Sequence, residues 1–473
     1  MTDSFDAVVV GSGPNGLAAA ITLAQRGLSV QVLEAEPTIG GGMRSGELTL
    51  PGFVHDLCSA IHPLAMASPF LSTLPLADHG LELLQPKVPL AHPLDDGRVA
   101  ALEMSVPQTA SHLGRDADDY VKLMVPFVRF HEHLVEQFLG PLRPPRHPIS
   151  AGRFGVQAIR SAKGLASMFE GDPARALLAG VAAHSILPLD RLVTGGFGLI
   201  LAMLGHAVGW PVAKGGTQSL ADAMGSLLES LGGEVVTGRP VESLDDLPKH
   251  RVALLDTAPR LLEKIAGDRL PKSYRFLLHR YRYGPSVFKV DWALDGPVPW
   301  RNRFCREAGT VHLGGTFEQI SASERAVWEG RHAARPYCII AQQSVADPSR
   351  APEGKHTLWG YCHVPNGYPV DMTEAIEDQI ERAAPGFKDL ILARTTRSPA
   401  ELERHNANYV GGDINGGVQD LRQLFTRPVA RIDPYTTPIE GLYLCSSATP
   451  PGGGVHGMCG YHAARSALKR EFK

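Results

Sequence analysis

The sequence predicts a two-domain α/β fold, and three observations predict it. A short apolar run, Ala7 to Val10, leads through glycines 11, 13 and 16 into an alanine-rich helical stretch. A second strand follows and ends on an acidic residue, Glu34, ahead of a further glycine cluster at 40–42. A strand, a Pro/Gly-rich loop and a helix close the chain at 441–468. A chain of 473 residues has room for about two or three domains on length alone.

Each element has a physical reason. Ala7-Val8-Val9-Val10 is continuously apolar, as suits a central strand of a parallel sheet. Leu17 to Arg26 reads as a helix stopped by Gly27, and Leu28 to Leu33 as the second strand. Gly11 permits the tight turn, Gly13 lets backbone approach a pyrophosphate, and Gly16 lets helix and strand pack closely. Pro14 and Asn15 stand at the helix start, where free N–H groups and the positive dipole end face phosphate. Glu34, 23 residues after Gly11, is placed to accept from ribose hydroxyls, and its charge disfavours a 2′-phosphate. The unit is therefore read as Rossmann-like and dinucleotide-binding. Ala35 and the loop Gly40-Gly41-Gly42-Met43-Arg44 supply a second backbone approach, with Arg44 able to pair with phosphate.

These residues resemble the FAD-dependent amine-oxidoreductase superfamily, and more closely its phytoene desaturase and carotenoid isomerase branch with its many bacterial NAD(P)/FAD-dependent oxidoreductases. That branch shows the glycine motif, an acid, five residues, then two glycines and a basic residue. Here Gly42 stands at the usual basic position and Arg44 comes two residues later. Gly52-Phe53-Val54-His55-Asp56 resembles the family's G-F-x-x-D segment. The likeness resumes at Lys214 to Leu220, through a helix stopped by Gly232-Gly233, a strand from Glu234 to Thr237, and Val241. It returns at Gly441 to Gly457 and the helix beyond. The resemblance implies non-metal, FAD-dependent chemistry, with FAD held by Gly11, Gly13, Pro14, Asn15, Gly16, Glu34, Ala35, Gly41, Gly42, Met43, Arg44, Val241, Ser447, Gly454, Val455 and His456. It further implies an FAD-binding domain assembled from 1–70, 211–284 and 431–473. A substrate-binding α+β domain is then inserted as 71–210 and 285–430.

The first insertion reads as largely helical. Asp119 to Phe138 is amphipathic with a break expected at Pro126, Pro141 to Pro148 is a linker, and Ala174 to Ile186 and Gly195 to Val208 are apolar helices. The second reads as antiparallel sheet, with strands at Val287–Leu294, Tyr337–Gln343 and Thr357–Val364. Period-two alternation puts Trp359, Tyr361 and His363 on one face, either lining a substrate cavity or packed against helices. His456 is the candidate acid or base, the other reading being a histidine hydrogen-bonded in a helix N-terminus. His363 is the second catalytic candidate and His405 a weaker one. His62, His184 and His206 read as structural, Asp56 as a cap or anchor, and Gly411 to Gly417 as a structured loop near the cavity.

Composition narrows the function classes. The formal charge is −3, from 46 Lys and Arg against 49 Asp and Glu, so no global basic field exists to hold nucleic acid. Six scattered cysteines form no C-x-x-C pair, which argues against a disulfide framework or structural zinc and fits a reducing compartment, the cytoplasm by expectation. No zinc-hydrolase or serine-hydrolase motif occurs. The resemblance implies an oxidoreductase acting on an apolar, polyene- or terpenoid-like molecule by hydride transfer to flavin N5, of desaturase or cis–trans isomerase type. The electron acceptor expected is a quinone or dioxygen, and peripheral membrane association accompanies similar proteins. Two other readings stay open: a flavin amine oxidase producing hydrogen peroxide, and a non-catalytic FAD-binding scaffold.

Overall fold

Apolar patterning sorts the strands into two large sheets. A computed structural model describes residues 4–141 and 144–473. The polar lead Met1–Asp3, and the Leu142–Arg143 part of the expected linker, lie outside the described residues.

Five parallel strands make the first sheet, in the order Leu442–Leu444, Lys249–Leu255, β1 (Ser4–Val10), β2 (Val30–Leu33) and Glu234–Val236. The two inner runs Ala7–Val10 and Val252–Leu255 are fully buried, as strands covered on both faces must be. β1 feeds α1 (Pro14–Ala24), which packs against the C-terminal helix Met458–Glu471. Glycine at 460 permits that approach, because a Cβ there would sit 1.7 Å from the Asn15 carbonyl oxygen. The first turns of two helices from opposite ends of the chain are thereby set side by side.

Seven strands make the second sheet: Ile391–Arg397, Ser286–Leu294, His356–Val364, Cys338–Ala341, Ala308–Leu313, Val88–Pro93 and Val99–Leu102. Neighbours are antiparallel except for Val88–Pro93 beside Ala308–Leu313. Two expected strands match closely, with Lys289 opposite Tyr361 and Asp291 opposite Trp359. The third shortens to Cys338–Ala341 because Gln343 opens a helical turn. The mainly helical stretch 71–210 also contributes a hairpin to this sheet. The break expected at Pro126 falls instead at Phe130, between Ala117–Arg129 and His131–Phe138. A mid-helix proline removes one backbone bond, and here the turn beyond it stays helical. Helices Asp172–Ala183 and Thr194–Ala207 pack on each other beside this sheet.

Candidate functional site

The carboxyl ends of the parallel strands carry the glycine turns, where open α/β sheets bind ligands. Gly11 has φ +98°, a conformation that favours glycine. A Cβ on Gly16 would lie 2.0 Å from the Gly11 carbonyl oxygen, so the turn closes only on glycine. The second cluster packs onto the first, since a Cβ on Gly41 would come 3.0 Å from the Gly13 Cα. α1 has no acidic residue in its first turn, and the Asn15 Oδ1 beside it is buried without a partner. The positive dipole end of α1 faces this turn, although the Gly16 N–H is already bonded to the Asp256 carboxyl.

Glu34 is buried at the end of β2 and accepts from the Ser12 N–H at 2.8 Å, the Glu36 N–H at 3.0 Å and the Ser12 hydroxyl. Arg44, read as able to pair with phosphate, has two partners within the chain. It donates to Glu34 Oε1 at 3.0 Å and to the Thr38 carbonyl at 3.1 Å. The pairing follows from burial: a carboxylate and a guanidinium both removed from water neutralise each other first. Asp256, which follows Lys249–Leu255, accepts from the Gly16 N–H at 2.9 Å. Burial, with the charge of Glu34 adding to it, pushes its carboxyl up to about 7. A carboxyl tuned this way is partly protonated at neutral pH and lies against the turn expected to hold pyrophosphate.

These turns open on one cavity of about 1310 Å³, larger than the roughly 300–1,000 Å³ of an ordinary ligand pocket. Gly11, Gly13, Pro14, Asn15, Glu34, Ala35, Gly41, Gly42, Arg44, Val241, Ser447, Gly454, Val455 and His456 all line it. Trp359 and Tyr361 line it too, ring against ring at 5.0 Å in an edge-on arrangement. Three expected site residues are not on its wall. Gly16 lies beneath the turn it closes, and Met43 is wholly buried in the core. His363 is buried behind the wall with Nδ1 2.8 Å from Glu324 Oε2. Its strand alternates as expected, but that ring is taken up by a carboxylate and not by the cavity.

His456 has a specific bond. Its Nδ1 accepts from the Met458 N–H at 3.0 Å, which caps the C-terminal helix, and burial lowers the ring to about 4. His405 and Asn415 also line the cavity, and the loop holding Asn415 is tied by Asp413, which accepts from the N–H groups of Gly284, Asn415 and Gly417. Asp56 is an anchor: it accepts from Ser45 Oγ, the Thr217 N–H and Arg350 Nη2 at 2.7, 2.8 and 2.9 Å. Burial alone would raise its carboxyl, but Arg350 and these bonds outweigh it and hold the group below the ordinary value.

Sequence reading passed over two wall residues. One is Asp256. The other is Lys289, inside the central strand Ser286–Leu294, paired with Asp291 and 5.5 Å from the centre of the Trp359 ring. Burial lowers the Lys289 ammonium against the opposing pull of Asp291. The signal was present: a lysine and an aspartate two apart share one face of a strand, and opposite charges inside a central strand need a reason.

The comparisons with known proteins agree with this geometry. Residues 9–71 match the family described as NAD(P)-binding Rossmann-like domain. The chain is 27% identical to the mouse pyridine nucleotide-disulfide oxidoreductase domain-containing protein 2, over 98% of this chain and 93% of that one. It is 25% identical to a phytoene dehydrogenase of Streptomyces griseus, over 86% of this chain and 80% of that one. Among solved structures, a putrescine oxidase bound to putrescine shares the fold with a TM-score of 0.63, at 17% identity and 99% coverage of both chains. The glycine cradle, the unpartnered Asn15 Oδ1 and the size of the cavity fit FAD, and the protein is an FAD-dependent oxidoreductase. The chain carries an NAD(P)-binding Rossmann-like domain of the FAD type, and its relatives and fold are consistent with the FAD-dependent amine-oxidoreductase superfamily.

Proposed function

We propose that this oxidoreductase desaturates or isomerises an apolar, polyene- or terpenoid-like molecule. One observation carries the reading: a single cavity joins the glycine turns to a chamber walled by Leu134, Phe138, Phe154, Ile200, Leu201 and Trp359. Burying a long hydrocarbon there is favourable by roughly 25 cal/mol for each Å² of apolar surface removed from water. The relatives named phytoene dehydrogenase, phytoene desaturase and zeta-carotene desaturase support the same class.

Bound FAD supplies the hydride acceptor. The chain's own residues grip, orient and exclude. Gly11, Gly13, Pro14 and Asn15 would hold the pyrophosphate at the start of α1, Glu34 and Ala35 would take the ribose, and Val241 would take the adenine. Gly41, Gly42 and Arg44 brace that grip from the second loop. Ser447, Gly454, Val455 and His456 set the C-terminal helix toward the flavin end. Trp359 and Tyr361 would orient the substrate from the cavity wall, which contributes to rate. Lys289 keeps a basic nitrogen at the same wall.

Amine oxidation is the second reading, favoured by the fold shared with putrescine oxidase. The wall argues against it. Its carboxylates, Glu34, Glu36, Glu242 and Asp256, all follow strands of the parallel sheet, and Asp291 is already held by Lys289 and Arg397. A substrate ammonium would meet no free anion in the chamber among the described residues.

No described helix is long and apolar enough to cross a membrane. Exposed apolar side chains at Ile159, Phe425 and Ile432 sit among the lining residues. They give the mouth a surface for peripheral contact with lipid, from which a quinone or an apolar substrate would enter.

Anaerobic titration of the FAD-loaded protein tests the reading. Polyene and terpenoid donors are expected to bleach the flavin absorbance, while alkylamines leave it unchanged and release no hydrogen peroxide in air. Bleaching by amines alone would overturn it.

A further inference from the structure

Among the polar groups on the cavity wall, His184 stands out because a second histidine is bonded behind it. His184 caps the C-terminal end of helix Asp172–Ala183 and lines the cavity beside Trp210 and Ile339. Its Nε2 lies 3.0 Å from Nε2 of His312, a buried residue of strand Ala308–Leu313. Behind them His92 places Nε2 2.8 Å from the Gly315 carbonyl. Among the described residues no group of three or more His, Cys, Asp or Glu is arranged to hold a metal ion. The trio therefore calls for another account.

Partner chemistry assigns the tautomers. A carbonyl only accepts, so His92 carries its proton on Nε2 and its buried Nδ1 is a bare lone pair without a partner. Nδ1 of His312 is also buried and without a partner. A proton there would be an orphaned donor, the rarer and costlier defect. The His312 proton therefore sits on Nε2 and is donated to His184 Nε2. That leaves the His184 proton on Nδ1, for which no hydrogen-bond partner exists among the described residues. Burial holds His184 to about 3 and His312 well below its ordinary value, so both rings are neutral. The room for them comes from Gly180, where a Cβ would approach His312 Nδ1 to 2.6 Å and His92 Nδ1 to 3.1 Å. A neutral ring, held through its Nε2 by His312 and with its Nδ1 unbonded, thus forms part of the cavity wall.

We propose that His184 is a specificity-determining residue whose Nδ1–H donates to a hydroxyl or carbonyl oxygen on an otherwise apolar substrate. The substrate is then an oxygenated member of its class and not a pure hydrocarbon. An unpaired donor in such surroundings is costly, and a site built around one discriminates against ligands that lack the acceptor. The inference deepens the proposed function and rests on it.

Direct binding to the FAD-loaded protein tests it. Tetradecane, tetradecan-1-ol and tetradecan-2-one are delivered from cyclodextrin, and binding is read by quenching of tryptophan fluorescence, since Trp210 and Trp359 line the cavity. The alcohol and ketone are expected to bind about 10-fold tighter than the alkane, the scale of one hydrogen bond. His184→Phe is expected to bring the three within about twofold while leaving alkane affinity in place. The wild-type ratio is decisive without any variant: a value near one, as a resident water on Nδ1 would give, overturns the proposal. So does a preference that survives His184→Phe. If the alkane binds and no preference is seen, only this proposal falls. If none of the three binds, the apolar-substrate reading falls with it.

Discussion

The two ends of the cavity are built by opposite means. At the glycine-turn end the wall is largely backbone, and side chains matter mostly by being absent, as at Gly11, Gly13, Gly16 and Gly41. At the substrate end the wall is side chains from elements far apart in sequence: Phe154, His184, Lys289, Ile339 and Trp359. A backbone site tolerates no added atom, because the neighbouring backbone cannot move aside. A side-chain wall can exchange one residue for another of similar volume and change its preference without losing its shape. The comparison teaches where variation is expected to alter the substrate and where it is expected to abolish the protein's cofactor.

The largest effect is accordingly expected from one methyl group at the cofactor end. Gly16→Ala places a Cβ 2.0 Å from the Gly11 carbonyl oxygen, a contact that the turn relieves only by opening. FAD affinity is expected to fall by at least about 100-fold, the equivalent of losing two ordinary hydrogen bonds to the phosphates. Flavin absorbance after reconstitution and gel filtration reads this directly. A yellow Gly16→Ala protein of unchanged affinity would erase the contrast between the two ends.

The same contrast explains how much of the molecule was legible beforehand. A backbone site leaves a local signature, so Gly11 to Gly16 and Glu34 could be read from spacing, while the Gly452–Gly454 loop came from the family resemblance. Lys249–Leu255 pairs with β1 in that sheet and was missed, because its first three residues are Lys, His and Arg and only Val252–Leu255 is apolar. The chamber leaves no such signature. His184 was read as structural, since nothing in the residues near it reveals a cavity formed with a strand 128 positions away. His363 was read as a site candidate from a strand alternation that Trp359 and Tyr361 obey, but Glu324 on a separate helix captures its ring. The Arg44–Glu34 pair is not legible either, because spacing alone does not say which of two loop residues a buried acid will hold.

Asp256 sharpens the comparison, being a titratable group inside the end where backbone rules. Its folded value is raised to about 7 from an ordinary 3.8, chiefly by burial. A carboxyl raised in this way contributes stability that is complete below pH 3.8 and lost as pH climbs through about 7, because the unfolded chain ionises first. Asp256→Asn keeps an oxygen for the Gly16 N–H and removes the ionisation. Unfolding of the cofactor-free protein in urea is expected to show the variant more stable than wild type at pH 8, by up to about 4 kcal/mol. The difference should vanish at pH 4. Equal stabilities at pH 8 would mean that the carboxylate is accommodated there in a way the Gly16 contact does not reveal.

His456 sits where the two ends meet, and the smallest effect is expected there. It lines the cavity, yet its Nδ1 is occupied by the Met458 N–H and its ring is lowered to about 4 by burial. An acid or base working near neutrality would need a ring that exchanges its proton in that range. A cap needs only an acceptor, and asparagine is among the best of these. His456→Asn is expected to keep kcat within about threefold of wild type, whereas His456→Ala leaves the Met458 N–H unsatisfied and weakens the helix start by about 1 kcal/mol. The rate profile of wild type should show no limb from this ring between pH 5 and 8, because the ring stays neutral throughout that range. A drop of about 100-fold or more in His456→Asn, joined to the loss of a limb near neutrality, would move this residue from the helix it caps into the reaction itself.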